Sequence, residues 1–443
     1  MPRRNLTLVL AVGFVSLICY EKAQHNRFAR IVADVMNKVE ANYLEEIEPQ
    51  DLFEGAVAGI IDRLGDPNST YIPPAKKQEF DETIDKEFVG VGMEVGMDAK
   101  TQQLTVLSPL VGTPAYKAGI LAGDVILQIG DKSTQGLSLK DAVGLMRGES
   151  GTTVELVVSR KGSPDPITVE IVRAKIQVDT VLGDVRDADG AWHLSLEDHP
   201  QIGYLRIVAF SQETPDELLR ALKRLTKHGM RALIVDLRDD PGGRLDAAIE
   251  VSDLFVDSGV IVSTRDRREK TIDQYDAHAE GTFSGFPVAV LVNQNSASAS
   301  EIVAACLQDH KRAIVVGQRS YGKGTVQKVF ELEDNLGALK LTTAKYCRPN
   351  GKNIHRRRNP DDGEEEEWGV KPNKGYEVVL DEDELIRRSQ WRRRRDRPAD
   401  NGEPAEDDAE PFVDRQLEKA LEYVQAEVAK KNNAKKDNAK KKG

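Results

Sequence analysis

The fold is decided by residues 288–301, VAVLVNQNSASASE, in which an apolar run leads into a turn of small polar residues. Residues 288–292 have the length and composition of a buried strand, and residues 299–308 have the pattern of an amphipathic helix. A serine hydroxyl on such a turn lies beside backbone N–H groups at a helix N-terminus, where a developing oxyanion is stabilised. Serine also caps helices without any catalytic role, so the turn alone does not predict an enzyme.

The same alternation of strand and helix extends on both sides of this stretch and predicts an α/β core at residues 175–380. Short apolar runs typical of buried strands occur at residues 202–207, 232–237, 288–292 and 313–316. Amphipathic helix candidates lie between them, at residues 214–225, 245–254 and 299–308.

Two further domains are predicted before this core. In residues 25–85 apolar side chains recur at three- and four-residue spacing, which predicts an N-terminal helical region. Within it, the sequence GDPN at 65–68 ends a helix with a turn. Residues 86–174 contain short strands and two helix candidates, at 114–118 and 139–146, and we predict a separate β-rich domain there.

The composition changes again beyond Arg356. Residues 361–367 are acidic, residues 392–395 are basic and residues 398–411 are polar and acidic, so we expect solvated or disordered linkers. A last amphipathic helix is predicted at 415–428, followed by a frayed lysine-rich tail from residue 430. Residues 381–443 therefore form a charged, partly disordered C-terminal extension in this prediction.

Charge and cysteine content exclude several classes of protein. The 443 residues carry a net charge of −11, which is unfavourable for general nucleic-acid binding. The three cysteines show no CxxC spacing, so a structural zinc site or a disulfide framework is not expected. There is no HExxH pair, which argues against the common zinc hydrolases.

The N-terminus has the pattern of a secretory signal. Arg3 and Arg4 precede an apolar run over residues 6–20, interrupted only by Thr7 and Ser16. A basic segment followed by an apolar segment of this length predicts a signal peptide or membrane anchor at residues 1–24. We therefore expect the protein to work outside the cytoplasm, either secreted to the periplasm or anchored to the membrane.

Two glycine-rich stretches resemble nucleotide-binding loops and do not fulfil their patterns. Residues 90–96 have one residue too many before the last glycine, and no helix is predicted after them. Residues 317–323 have phosphate-loop spacing up to Lys323, but Gly324 stands where a metal-binding hydroxyl is required. The residues that follow favour a strand, whereas a phosphate loop opens a helix, so nucleotide binding is not expected.

Lys323 is the strongest candidate for a base that would activate a serine. A serine nucleophile needs such a base, and a lysine can serve when burial favours its neutral form. Lys323 lies between two glycines after an apolar strand, which is an unusual place for a surface lysine. A Ser-His-Asp triad fits less well, because His228, His278 and His310 do not lie in comparable positions.

Six short motifs follow one another over residues 25–375. They are DPNSTY (66–71), FVGVG (88–92), PAYKAGI with GDVI (114–120 and 123–126), DLRDDPGG (236–243), SASASE (296–301) and YGKGTVQ (321–327). In this order they resemble the carboxy-terminal processing peptidases, also called tail-specific proteases. These are Ser/Lys endopeptidases with a PDZ domain, and the resemblance implies an α/β core of the crotonase-like ββα type.

The resemblance also implies the roles of individual residues. Ser298, the middle serine of its motif, would be the nucleophile, Lys323 the base, and Gln327 a support for the lysine. The oxyanion hole would be formed by the backbone amides of Ala299 and Gly243. No metal or organic cofactor is implied.

For the PDZ domain, the resemblance implies capture of a substrate C-terminus. Backbone N–H groups of Gly90, Val91 and Gly92 would bind the terminal carboxylate. Phe88 and Val89 belong to the same predicted peptide-binding segment. The expected partners are protein or peptide substrates with free apolar C-termini. An adaptor or activator protein, a homo-oligomer and a membrane tether through residues 6–20 remain open as further partners.

The chain departs from the family pattern at two places. Asp239 and Asp240 stand where asparagine is common, and the charged inserts at 361–367 and 381–411 exceed a minimal member. The alternative function is a catalytically silent PDZ scaffold that binds peptides in the cell envelope. The presence of both Ser298 and Lys323 speaks against that alternative.

Overall fold

A computed structural model describes residues 27–85, 87–98, 101–187, 190–356, 367–396 and 412–442. The predicted signal or anchor segment, most of the acidic run at 361–367 and the linker at 398–411 lie outside these residues. Within the described ranges, no helix is both long enough and apolar enough to span a bilayer. The described residues divide into two compact units, the first with residues 27–78 and 327–342, the second with those of 79–326 and from 343 onward.

The first unit confirms the predicted N-terminal helices. Its elements are α1 (Arg27–Asn42), α2 (Pro49–Asp62), β1 (Thr70–Ile72) and the start of α3 (Pro74–Asp85). Strand β1 pairs antiparallel with residues 338–340. The turn predicted at residues 65–68 is stabilised by Asp66, whose Oδ2 accepts hydrogen bonds of 2.6 Å from Ser69 Oγ and Thr342 Oγ1.

The second unit begins with the predicted β-rich domain. Its elements are β2 (Glu87–Gly90), β3 (Met93–Met97), β4 (Leu104–Pro109), α4 (Pro114–Lys117), β5 (Val125–Ile129), β6 (Lys132–Ser133), α5 (Leu139–Met146), β7 (Thr153–Ser159), β8 (Ile167–Val172) and β9 (Ala174–Gln177). Strands β3, β4, β5, β7 and β8 form an antiparallel sheet in that order. Its interior is apolar, with Ile126, Leu156 and Val158 fully buried.

The predicted α/β core follows and is confirmed. Its elements are β10 (Val181–Leu182), β11 (Ser195–Leu196), β12 (His199–Ile207), α6 (Thr214–Lys227), β13 (Ala232–Asp236), α7 (Leu245–Asp253), β14 (Val260–Arg265), β15 (Thr271–Asp276), β16 (Val288–Val292), α8 (Ala299–Asp309), β17 (Ile314–Gly317), β18 (Thr325–Glu331) and β19 (Ala338–Cys347). Residues 327–342 of β18 and β19 belong to the first unit. Strands β12, β13, β16 and β17 are parallel neighbours, so their carboxyl ends share one edge of the sheet.

Both faces of this parallel sheet are covered. Helices α6, α7 and α8 pack on one face, where Leu205, Leu233 and Val290 are fully buried. The other face receives a C-terminal helix through Ala420 and Val424. Burial on both faces explains why the strands have continuous apolar runs rather than alternating ones.

The C-terminal extension differs from the prediction. It contains α9 (Glu382–Arg395) and α10 (Arg415–Lys442). The interpretation of residues 392–395 as a solvated linker is wrong, because they form the last turn of α9. Arg395 bonds the buried Asp184 at 2.8 Å, and Arg392 bonds Asp396 at 3.0 Å. The tail from residue 430, predicted to fray, continues α10 as far as Lys442.

Candidate active site

The serine turn joins β16 to α8, and its middle serine has an unusual backbone conformation. Ser298 has φ 56° and ψ −114°, a region that side-chain-bearing residues rarely adopt. The flanking serines, Ser296 and Ser300, are both buried. Ser296 Oγ donates to the Leu237 carbonyl at 2.7 Å, and Ser300 Oγ donates to the Asp240 carbonyl at 3.0 Å. Among the three serines, Ser298 is the one whose side chain is not fully buried.

A second turn, residues 239–243 after β13, packs directly on the serine turn. The Ala297 N–H donates to the Asp240 carbonyl at 3.0 Å. A Cβ added to Gly242, whose φ is +92°, would lie 2.8 Å from both Ser298 Cβ and Ala299 N. Only glycine permits this approach. The structure thus brings Ala299 and the turn that carries Gly243 together, and their oxyanion roles stay predictions.

The lysine turn lies between β17 and β18. Lys323 is partly buried and is flanked by two glycines that neighbouring backbone and side chains approach closely. A Cβ on Gly324 would lie 2.4 Å from the His355 backbone nitrogen. Strand β18 follows this turn, which confirms that no phosphate-binding helix opens after Lys323.

Glu301 connects the serine turn to the lysine turn. Its Oε2 accepts from the Ser298 N–H at 2.9 Å and from the Lys323 N–H at 2.8 Å. Its Oε1 accepts from the Gly322 N–H at 2.7 Å and from Ser320 Oγ at 2.5 Å. Burial raises the pKa of Glu301, and these four donors oppose the rise. The sequence motif suggested only helix capping for this residue.

Tyr346 is a second residue that the sequence did not predict at this site. Its hydroxyl donates to the Lys323 carbonyl. The same hydroxyl group interacts with the Ser298 side chain. Burial and, second, the charge of Glu301 raise the pKa of Tyr346 well above its ordinary value, so it remains a neutral hydroxyl.

Gln327 lies in the first unit of the chain. Its Nε2 donates to Thr342 Oγ1 at 3.2 Å, and that hydroxyl donates to Asp66 at 2.6 Å. Burial alone would raise the pKa of Asp66, but bonds from Ser69, Thr342 and Asn68 outweigh it and lower the pKa. The proposed support of the lysine by Gln327 stays a prediction.

The PDZ residues form a strand and the tight turn after it. Phe88, Val89 and Gly90 belong to β2, which pairs with β9. The Val91 carbonyl accepts from the Ala115 N–H at 2.8 Å, and the Gly92 carbonyl accepts from the Leu110 N–H at 3.0 Å and from Thr113 Oγ1 at 2.7 Å. The role of all five residues in peptide binding stays a prediction.

Comparison with sequence families defines the class of protein. The model of peptidase family S41 matches residues 201–373, which include both the serine turn and the lysine turn. A PDZ-domain model matches residues 105–160, and a model described as the activating protease CtpB N-terminal domain matches residues 19–75. The chain is a serine peptidase that carries a PDZ domain.

Individual relatives narrow this class. A carboxy-terminal-processing protease of Bartonella bacilliformis is 36% identical over 92% of this chain and 90% of that protein. The carboxy-terminal processing protease CtpA of Bacillus subtilis is 35% identical over 73% of this chain and 67% of that protein. Among solved structures, a photosystem II D1 C-terminal processing protease is 30% identical, over 79% of this chain and 86% of that chain, with a TM-score of 0.44.

The chain belongs to the family of carboxy-terminal processing proteases, as the motifs predicted. The alternative of a catalytically silent PDZ scaffold is not favoured by these matches.

Proposed function

We propose that Ser298 and Lys323 form the catalytic dyad of an endopeptidase that cleaves protein substrates near their C-termini. The observation that carries this proposal is the shared carboxylate of Glu301, which accepts from the backbone N–H groups of both residues. The serine turn and the lysine turn are thereby held to one buried group. A base and a nucleophile need this kind of fixed relative position.

The reaction follows the acyl-enzyme route. Neutral Lys323 takes the proton of Ser298 Oγ as that oxygen attacks the scissile carbonyl carbon. When the tetrahedral intermediate collapses, the C–N bond breaks and Lys323 returns the proton to the leaving amine. Water then attacks the acyl-enzyme, Lys323 accepts its proton, and Ser298 recovers a proton as the ester bond breaks.

The oxyanion of each tetrahedral intermediate would be held by the amides of Ala299 and Gly243. Ala299 is the first residue of α8, where N–H groups have no partner within the helix. The close packing of Gly242 on Ser298 supports this assignment, because it brings the second turn to the nucleophile. Gln327 would assist by supporting Lys323.

The PDZ domain would capture the substrate's C-terminal carboxylate through residues 88–92 and control its access to Ser298. A cavity of about 460 Å³ supports a coupling of the two domains. Leu107 and Val111 of the PDZ domain line this cavity together with Asp239 of the turn beside the nucleophile. The PDZ domain and that turn therefore share one cavity.

We also propose that residues 1–24 direct the enzyme out of the cytoplasm, to the periplasm or to the outer side of a membrane. The basic residues before an apolar run support this localisation. The match of residues 19–75 to the N-terminal domain of an activating protease supports an adaptor or activator protein as a partner. N-terminal sequencing of the mature protein from fractionated cells tests the localisation.

A pair of peptides tests the function. The two share one sequence with an apolar C-terminus, and one ends in a free acid while the other ends in an amide. We expect cleavage of the acid to be faster by about tenfold or more, because a charge-assisted hydrogen bond contributes about 1.5–3 kcal/mol. Mass spectrometry of the products identifies the cleaved bond, and Ser298→Ala should cleave neither peptide.

Acetylation of the peptide N-terminus serves as the matched control, because it changes the charge at the opposite end and should leave the rate unaltered. Equal rates for acid and amide would contradict PDZ capture. Intact peptides after incubation with the wild-type chain would contradict the peptidase itself.

A further inference from the structure

We propose that Arg388, in the C-terminal extension, is a positioning residue for the active site, and that it acts through Asp239. This inference rests on the proposed function of Ser298. Arg388 is almost fully buried on α9, and its Nη2 donates to Asp239 Oδ2. The two residues are 149 positions apart in sequence.

Asp239 links residues 239–243, which we call the oxyanion turn, to the serine turn. Its Oδ1 accepts from the side-chain amides of Asn293 and Asn295, each at 2.8 Å. Its backbone N–H donates to Asn293 Oδ1 at 2.9 Å. Asn293 is itself buried and follows β16 directly, so these bonds fix the point where the serine turn begins.

Beyond Asp239, further contacts join the same two turns. Asp240 accepts the Ala297 N–H through its carbonyl, and Gly242 packs on Ser298 and Ala299. A displacement at residue 239 would therefore be transmitted to the oxyanion donors and to the nucleophile. Displacements of about 1 Å at an active site can lower a rate by about 100-fold.

The exposure of its side chain shows why Asp239 needs a fixed partner. Its side chain is 46% exposed, whereas that of Arg388 is 10% exposed. Without the guanidinium, the carboxylate would turn toward water and release the two asparagine side chains.

Asp239 begins the turn that carries Gly243, and an uncompensated carboxylate there would add negative charge near the proposed oxyanion hole. Arg388 neutralises that charge. The arginine-rich helix α9 thereby gains a specific role at the active site.

The test compares Arg388→Ala with Arg394→Ala, which removes an exposed arginine from the same helix. For Arg388→Ala we expect kcat to fall by about tenfold while KM changes by less than about twofold. Arg394→Ala should keep the wild-type kcat. The double variant Asp239→Asn/Arg388→Ala should recover much of the loss, since a neutral asparagine needs no cation and can still bond Asn293.

Hydrogen exchange of residues 239–243 and 293–300 provides a second measurement that does not depend on activity. Exchange there should be faster in Arg388→Ala than in Arg394→Ala, and should slow again in the double variant. If the wild-type chain cleaves no peptide, the proposed function fails, and the exchange rates still decide the role of Arg388. Equal kcat and equal exchange in the two single variants would overturn the proposal, and so would a loss that the double variant does not recover.

Discussion

At the scale of single residues, Glu301 accounts for most of the geometry of the site. One buried carboxylate accepts four hydrogen bonds, from both the serine turn and the lysine turn. A carboxylate is suited to this position because both of its oxygens accept and neither donates. The group thus holds Ser298 and Lys323 by their backbones.

Replacing Glu301 by glutamine should therefore lower both stability and activity, although the two side chains have almost the same shape. The amide nitrogen of Gln cannot accept, so two of the four buried donors lose their acceptor, at a cost of about 1–3 kcal/mol each. We expect Glu301→Gln to lower the melting temperature and to reduce kcat by about 100-fold, as the two turns separate. Thermal melting and peptide cleavage measure the two effects.

Glu280→Gln is the matched control, because Glu280 is exposed and should tolerate the same change. Glu301→Gln with wild-type melting and wild-type kcat would show that the shared carboxylate does not set the geometry.

Sequence reasoning reached Ser298 and Lys323 but missed the groups that hold them. Ser298 lies in a recognisable strand-turn-helix pattern, and Lys323 is marked by its two glycines. Glu301 was visible in the same motif, but helix capping gave a sufficient local explanation. Tyr346 lies inside a strand with no special pattern, and its contact with the Lys323 carbonyl depends on tertiary packing.

At the scale of elements, the carboxyl end of β13 is fixed by a buried ionic network. Asp236 accepts from Arg238 Nη2 at 2.7 Å and from the Tyr204 hydroxyl at 2.6 Å. Arg238 in turn donates to Asp414 at 2.9 Å and to Gln416 at 3.1 Å, near the start of α10. The strand end that precedes the oxyanion turn is thus tied to the C-terminal extension.

This network predicts a dependence of stability on pH. Burial alone would raise the pKa of Asp236, but the charge and hydrogen bonds of Arg238 outweigh it and hold the pKa far below 3.8. A lowered pKa stabilises the fold above the ordinary pKa of aspartate and loses that effect as the pH falls toward the folded-state pKa. The contribution of Asp236 should therefore begin to fall near pH 4 and fall further at lower pH.

Asp236→Asn should accordingly melt at a lower temperature than the wild type at pH 7, because breaking a buried ion pair costs about 3–5 kcal/mol. The difference in melting temperature between Asp236→Asn and the wild type should narrow as the pH is lowered from 5 to 3. Asp257→Asn, which changes an exposed aspartate, should follow the wild type throughout. A difference between Asp236→Asn and the wild type that stays constant down to pH 3 would contradict this account.

Most helices and strands could be predicted from the sequence, and helix α9 is the exception. The parallel strands of the core were located from their apolar runs, because burial on both faces leaves a strong signal. Helix α9 was missed, because four consecutive arginines have the composition of a solvated segment. Arg395 finds its buried partner Asp184 at a distance of 211 residues in sequence, which local patterns cannot show.

At the scale of the whole molecule, the PDZ domain, the core and the C-terminal extension meet around one pair of turns. The PDZ domain and the core line a common cavity, and the extension bonds Asp239 and Arg238 from the core. In the proposed function, capture of a substrate C-terminus and cleavage near that terminus are performed by neighbouring parts of the chain. All of this depends on Ser298 being the activated nucleophile and Lys323 its base.

Labelling with a fluorophosphonate, followed by peptide mapping, tests that central claim most directly, because the reagent reacts with a serine only when a base activates it. In the wild-type chain we predict one labelled residue, Ser298. Lys323→Arg keeps the charge but cannot act as a base, so it should not be labelled at any accessible pH. A label on Ser296 or Ser300, or undiminished labelling of Ser298 in Lys323→Arg, would contradict the account.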